Sequence, residues 1–330
     1  MRVGDLPTPA LLVDAGLLEH NLETMAQVLP GARLRPHVKA HKCTALAARQ
    51  AAHGHRSFAC ATAAEVLGMA RVGLGEDLLL ANETVDGRRL HALASCGGRV
   101  TVAVDSSETV SAAADAGIGE ILVDVNVGLP RCGCDPGDAG ILADQARGLG
   151  LAVRGVMGYE GHAVGIEDVA HRAEVVRQAM EILLRAHAQV GGEVVSAGGT
   201  GTYDLNTSAT EIQAGSYALM DTQYNRLALP FAQSVSVLAT VISVSATWAV
   251  ADCGLKALAM DHGNPTIEGA EVWFCSDEHV TFSPRAAPRV GDQVRVRPAH
   301  IDPTVAYHER MYVIEGDDVI DSWEVDLRGW

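Results

Sequence analysis

The sequence predicts an α/β protein: a (β/α)8 TIM-like barrel joined to a C-terminal all-β domain. Short, nearly continuous apolar runs alternate with segments of helical composition as far as about residue 230, as a parallel sheet covered by helices requires. Eight such runs are present, the strand count of a closed barrel. From residue 231 onward the texture alternates polar and apolar between Gly, Pro and Asp turns, the pattern of an antiparallel domain. An open doubly wound sheet is the alternative architecture for the first part.

The expected barrel strands are LRPHVK (34–39), SFACAT (57–62), DLLLAN (77–82), RVTVAVD (99–105), EILVDVN (120–126), AVRGVMGYE (152–160), EVVSAGG (193–199) and EIQAGSYALM (211–220). Segments such as CTALAARQAAHG and AEVVRQAMEILLRAHAQVG supply helices between them. The barrel is assigned to residues 14–230 and the β domain to 1–13 and 231–330, with ALLVD near the N-terminus offering that domain a strand. The β domain is read from SVSVLATVISVSATWAVADCG, EVWFCSDEHVTFSP, GDQVRVRPAHID and RMYVIEGDDVIDSWEV.

The formal charge of −16 argues against a nucleic-acid partner, because a phosphate-binding surface needs a basic stripe. The seven cysteines are odd in number and scattered, so they do not form a disulfide framework. No apolar run reaches membrane-spanning length and no secretory leader pattern opens the chain, so a cytoplasmic protein without a membrane partner is expected.

Functional groups of a β/α barrel sit at the C-terminal ends of its strands. That rule selects Lys39, in RPHVKAHK, at the end of the first strand. Lys42 falls after the strand and is expected along a helix, so Lys39 is preferred. Arg35, His37, His41 and Lys42 provide cationic neighbours able to lower the pKa of a nucleophilic amine. SAGGTGTY (196–203), after the seventh strand, carries small residues that let backbone N–H groups approach a phosphate, with AGS (214–216) on the neighbouring strand. Taken alone, the glycine-rich segment is equally a tight strand-to-helix turn. A lysine that binds an aldehyde, beside a phosphate cradle, is what pyridoxal phosphate requires. Further on, His300 and Asp302 in PAHIDPT stand two apart, so an extended segment would present both on one face to a divalent cation.

RPHVKAHK, MGYEGH, SAGGTGTY, TEIQAGSYALMD, ADCGLK, SDEH and AHIDPT occur in the order that resembles the D-threonine aldolase and D-serine dehydratase family, from about residue 6 to the C-terminal SWEVDLRGW. The resemblance implies a fold-type III pyridoxal-phosphate enzyme with an alanine-racemase-like barrel. It implies that Lys39 binds the cofactor aldehyde, that Gly199, Thr200, Gly201, Gly215 and Ser216 hold the phosphate, and that Gln213 faces the pyridine nitrogen. Arg131, in GLPRCG, resembles the arginine reaching the phenolic oxygen, and Tyr159 belongs to the same cofactor set. His300 and Asp302 match the metal ligands; the Asp resembles the aldolase branch, whose ion is manganese, with Mg2+, Co2+ and Zn2+ as alternatives. Some relatives carry a histidine directly after the strand-six tyrosine. Here Glu160 holds that place and His162 lies two residues on, leaving either side chain or metal-bound water as the base.

The expected activity is retro-aldol cleavage of a D-β-hydroxy-α-amino acid, most simply D-threonine to glycine and acetaldehyde. D-3-hydroxyaspartate cleavage, dehydration of D-serine or 3-hydroxyaspartate, and a non-catalytic pyridoxal-phosphate carrier are the rival readings. The resemblance also implies a homodimer.

Overall fold

The computed structural model describes residues 1–330. Seven of the eight expected barrel strands form one parallel sheet in chain order: Ser57–Cys60, Asp77–Leu80, Val100–Val104, Glu120–Asp124, Ala152–Met157, Val194–Ala197 and Glu211–Ile212. The eighth stave is irregular. Leu34 bridges Ile212 and His37 bridges Ala59, both in parallel register, so residues 34–37 link the last strand to the first. Pro36 lies between them and lacks an N–H, which holds the ladder there to isolated bridges. The carbonyls of Ile212 and Ala214 accept from Arg35 N and His37 N, and Pro36 O accepts from Ala59 N.

The chain divides into two compact units, one made of residues 25–39, 47–215 and 327–330, the other of 1–24, 40–46 and 216–326. In the barrel unit the strands are buried on nearly every residue, as helices on the outer face demand. Helix starts are set by side chains in the preceding loops. Thr62 Oγ1 accepts from Glu65 N, Asp86 from Arg88 N and Arg89 N, Ser106 Oγ from Thr109 N, and Asp168 Oδ1 from His171 N. These caps open helices Ala63–Arg71, Gly87–Ala94, Ser107–Asp115 and Val169–Val190.

The other unit contains a nine-stranded sheet in which Val235–Val244 pairs with both Gln293–Arg297 and Ala249–Ala251. The second pairing closes six strands into a small antiparallel barrel, completed by Val280–Pro284, Ala270–Cys275 and Thr266–Ile267. The N-terminal strand Ala10–Asp14 joins this sheet, antiparallel to Val235–Val244 and parallel to Arg310–Glu315. One element departs from the all-β expectation. Ile301–Tyr307 is a helix, with Pro303 in its first turn, where a missing N–H costs nothing. No helix is long and apolar enough to cross a membrane.

Candidate active site

Lys39 lies in a 3-10 turn, Val38–Ala40, directly after the closing residues 34–37, and is half-buried. Its backbone N–H donates to His37 Nδ1 at 3.4 Å, and Cys43 N donates to His41 Nδ1 at 3.2 Å. Both imidazoles therefore expose a lone pair to the backbone at Nδ1, which sets that nitrogen as an acceptor. Arg35 is not the cationic neighbour expected from sequence. It is buried at 2 % exposure, and its guanidinium is spent on Glu211 (Nε–Oε1 2.7 Å) and Asp77. Lys42 is not in a helix either: at φ +47° it occupies the left-handed turn before helix Thr44–Ala52.

The glycine-rich residues 198–203 follow strand Val194–Ala197 as a buried turn. Gly201 lies so close to the strand-six turn that a Cβ there would stand 2.1 Å from Val164 O, so only glycine fits. Gly199 and Gly161 both pack on the Tyr159 ring, and the Arg131 guanidinium sits 5.3 Å from that ring's centre. Thr200 and Gly215 are buried, and Ser216 opens a 3-10 turn, Ser216–Ala218. Gln213 Nε2 donates to Ser196 Oγ at 2.9 Å, and Ser196 Oγ donates to Glu211 Oε1 at 2.7 Å. The buried carboxylate can only accept, so this relay orients the Gln213 amide with its nitrogen toward Ser196.

His162 and Glu160 differ sharply. His162 is exposed, its ring against Gly128, where a Cβ would come within 3.0 Å of Cε1. Glu160 is buried, and its two oxygens accept from Gly198 N, Thr202 Oγ1 and Asn206 Nδ2. A carboxylate so engaged, buried and committed to three donors from residues 198–206, is a holding group. A second buried carboxyl, Asp124, ends its strand beside Glu83. Burial and the facing Glu83 carboxylate push it well above the usual range, with Arg131 opposing too weakly.

In the other unit, His300 is the extended residue before helix Ile301–Tyr307, and Asp302 is in that helix's first turn. The shared-face argument for an extended H-x-D segment thus fails in its premise, because the backbone turns helical at Ile301. The tight group is instead Asp261, His262 and His300, whose ligand atoms all lie within 4.8 Å of one another. His300 Nδ1 meets Asp261 Oδ2 at 2.7 Å, and the His262 and His300 rings stack at 4.0 Å. Burial and His300 lower the His262 imidazole from its ordinary value despite the nearby Asp261 and Asp302. Burial pushes Asp221, adjoining His300 and Asp302, up to about 6 against hydrogen bonds from Tyr224 N and Ile301 N. Imidazole nitrogens and carboxylate oxygens so grouped are a donor set that a borderline or hard divalent ion can take. Sequence reasoning missed Asp261 and His262. Their adjacency in MDHG (260–263) was the available signal.

A barrel closed by a lysine-bearing segment, a glycine-rich turn after its seventh strand and a separate β barrel define an alanine-racemase-like, fold-type III architecture. The residues fit pyridoxal phosphate, since the buried turn at 199–201 keeps Gly201 free of a side chain and so lets backbone N–H groups approach a phosphate closely. Residues 13–223 match the model of the alanine racemase N-terminal domain, and 234–314 that of a putative serine dehydratase domain. The chain is 35% identical to a D-threonine aldolase of an Arthrobacter species, over 98% of this chain and 93% of the relative. It is 30% identical to a 3-hydroxy-D-aspartate aldolase of Paracoccus denitrificans, over 100% and 94% of the two chains. The crystal structure of D-threonine aldolase from Filomicrobium marinum matches with a TM-score of 0.94 at 33% identity, covering 98% of this chain and 96% of that one. The chain belongs to the D-threonine aldolase and D-serine dehydratase family, and with it to the pyridoxal-phosphate-dependent lyases.

Proposed function

We propose that this protein is a metal-dependent D-threonine aldolase, cleaving D-β-hydroxy-α-amino acids between Cα and Cβ, with D-threonine giving glycine and acetaldehyde. The observation that carries the reading is the joint presence of Lys39 after the closing stave, the buried glycine-rich turn at 199–201 and the Asp261–His262–His300 group. When bound, pyridoxal phosphate supplies an electron sink for the breaking bond, and the divalent ion supplies a Lewis acid for the β-hydroxyl.

The chain's own residues then have these tasks. Lys39 holds the aldehyde end of the cofactor, and Gly199, Thr200, Gly201, Gly215 and Ser216 hold its phosphate. Arg131, kept over Tyr159, reaches the phenolic oxygen. Gln213, with its amide nitrogen committed to Ser196, leaves its carbonyl oxygen for the pyridine nitrogen. His300 and Asp302 would hold the ion, manganese by preference, with the neighbouring His262 as a further donor and Asp261 orienting the His300 ring. His162, exposed beside Gly128, takes the β-hydroxyl proton. The protein works as a cytoplasmic homodimer.

Similarity to the Paracoccus enzyme favours a second substrate, D-3-hydroxyaspartate, for the same cleavage. An assay of D- and L-threonine, D-phenylserine, D-serine and D-3-hydroxyaspartate with and without manganese tests both. Glycine with an aldehyde is the expected product pair. Ammonia with pyruvate or oxaloacetate would instead identify a dehydratase.

A further inference from the structure

Glu160 is only 1 % exposed, yet none of the proton transfers assigned above requires it. One of its carboxylate oxygens accepts from Gly198 N at 3.1 Å. The other accepts from Thr202 Oγ1 at 2.9 Å and from Asn206 Nδ2 at 3.2 Å. Thr202 Oγ1 in turn accepts from Gly199 N at 3.1 Å. The donors fall at the beginning, middle and end of residues 198–206, so one side chain ties down the whole glycine-rich turn. The opposite wall is the backbone of the same strand-six turn, where Val164 O leaves no room for a Cβ on Gly201.

The charge of Glu160 makes this arrangement informative. A carboxylate behind a phosphate site repels the ligand it helps to bind, more so in a buried setting. Its advantage is stereochemical: a carboxylate offers about four lone-pair sites and no donor, so it can satisfy three donors at once. An amide of the same shape would turn an NH2 group toward the Gly198 N–H or the Asn206 Nδ2.

We propose that Glu160 is the positioning residue of the phosphate site, holding residues 198–206 in the shape that recognises a phosphate monoester dianion. The proposal rests on reading the 199–201 turn as the cofactor's phosphate cradle. Charge alone predicts that neutralising Glu160 tightens phosphate binding, whereas positioning predicts that it weakens it. The sign of the change separates the two.

The test compares pyridoxal phosphate with pyridoxal, which lacks the phosphate, in titrations of the full-length apoprotein followed by visible absorbance. Wild type is expected to bind pyridoxal phosphate far more tightly than pyridoxal. In Glu160→Gln the affinity for pyridoxal phosphate falls about tenfold or more, the loss expected for one charge-assisted hydrogen bond, while that for pyridoxal is nearly unchanged. Asn206→Ala, which removes one donor and keeps Glu160, shows the same selective loss to a smaller degree; it decides the matter by the same ratio if Glu160→Gln is recovered unfolded. Equal weakening of both ligands, or unchanged or tighter pyridoxal phosphate binding in the variants, overturns the role of Glu160 while leaving the cofactor reading intact. A wild type that binds neither ligand overturns the cofactor reading and this role together.

Discussion

Arg35 Nε and Glu211 Oε1 meet at 2.7 Å inside the barrel, and Ser196 Oγ donates to the same carboxylate oxygen. The guanidinium also forks onto Asp77, which a second arginine, Arg154, grips from the other side. Four charges of opposite sign alternate here, with Arg35 at 2 % and Glu211 at 8 % side-chain exposure. Removing Glu211 leaves the buried Arg35 only one carboxylate, Asp77, which Arg154 already shares. Glu211→Ala is therefore expected to cost about 3–5 kcal/mol in denaturant unfolding. The paired change Arg35→Met with Glu211→Leu should recover a large share of that loss. A loss under about 1 kcal/mol in the single variant would show that water reaches the pair.

Asp77 makes the same network sensitive to acid. Burial works to raise its carboxyl, but hydrogen bonds from Arg154 and the charge and hydrogen bonds of Arg35 outweigh this and hold it at about 2. The folded value is thus below the ordinary unfolded one of about 3.9. The unfolded chain takes up this proton first as pH falls, so stability from Asp77 is complete above about pH 4 and drains away toward about pH 2. Asp77→Asn should be less stable at neutral pH and lose less between pH 4 and 2 than wild type, read from urea midpoints across that range. Parallel acid limbs for the two proteins would exclude this assignment.

The choice of lysine is open to a direct check. Lys39→Ala is expected to lose the cofactor's visible band and the borohydride-fixed adduct, while Lys42→Ala keeps both. The local backbone supports the choice, since Lys39 follows the closing stave directly and Lys42 stands in a left-handed turn at φ +47°. A borohydride-sensitive band surviving in Lys39→Ala would move the assignment elsewhere.

Much of the barrel was legible because its runs are short, apolar and bounded by turn residues, as in DLLLAN and EILVDVN. Their ends were read too long. Asp77–Leu80 stops two residues before Asn82, and Glu211–Ile212 stops well before Met220. Residues 214 and 217–220 are buried but lie outside the strand, with Ser216–Ala218 a 3-10 helix, and a run of apolar letters does not separate burial in a strand from burial beyond it. The first stave, expected over 34–39, is present only as bridges at Leu34 and His37 around Pro36, and Val38–Ala40 turns into a 3-10 helix. Lys39 and the glycine turn were legible because local sequence sets them. Asp261 and His262 were not, because they meet His300 from 39 and 38 residues away, a contact no periodicity encodes. The commitment of Glu160 to Thr202 and Asn206 was hidden for the same reason.

The carboxylate of Asp261 on His300 Nδ1 at 2.7 Å leaves the ring's other nitrogen for an ion. Such partners fix ring orientation and basicity, and their loss weakens metal binding about 10–100-fold. Chelation with EDTA should stop turnover and leave the cofactor's absorbance in place. Asp261→Asn should need about 10–100-fold more manganese for half-maximal activation. Full activity after thorough chelation would remove the metal from the reaction.

Asp124 tests the opposite electrostatic regime from Asp77. It is 5 % exposed, and burial together with the facing Glu83 carboxylate raises it well above the ordinary range. A proton held between two carboxyls makes one of them a neutral donor, and an amide NH2 can replace that donor. Asp124→Asn is therefore expected to cost less than about 1 kcal/mol, as replacement of one satisfied group by another of the same shape. The sign of the pH dependence follows from the raised folded value. The folded chain keeps this proton after the unfolded chain has released it, so the contribution is complete below about pH 4 and is lost as pH rises above the ordinary carboxylate range. Wild type should lose this part of its stability as pH rises above the ordinary carboxylate range, and Asp124→Asn should not, in paired denaturant titrations. Were Asp124 instead an ionised partner of Arg131, the asparagine variant would lose about 3 kcal/mol or more and the pH trend would reverse.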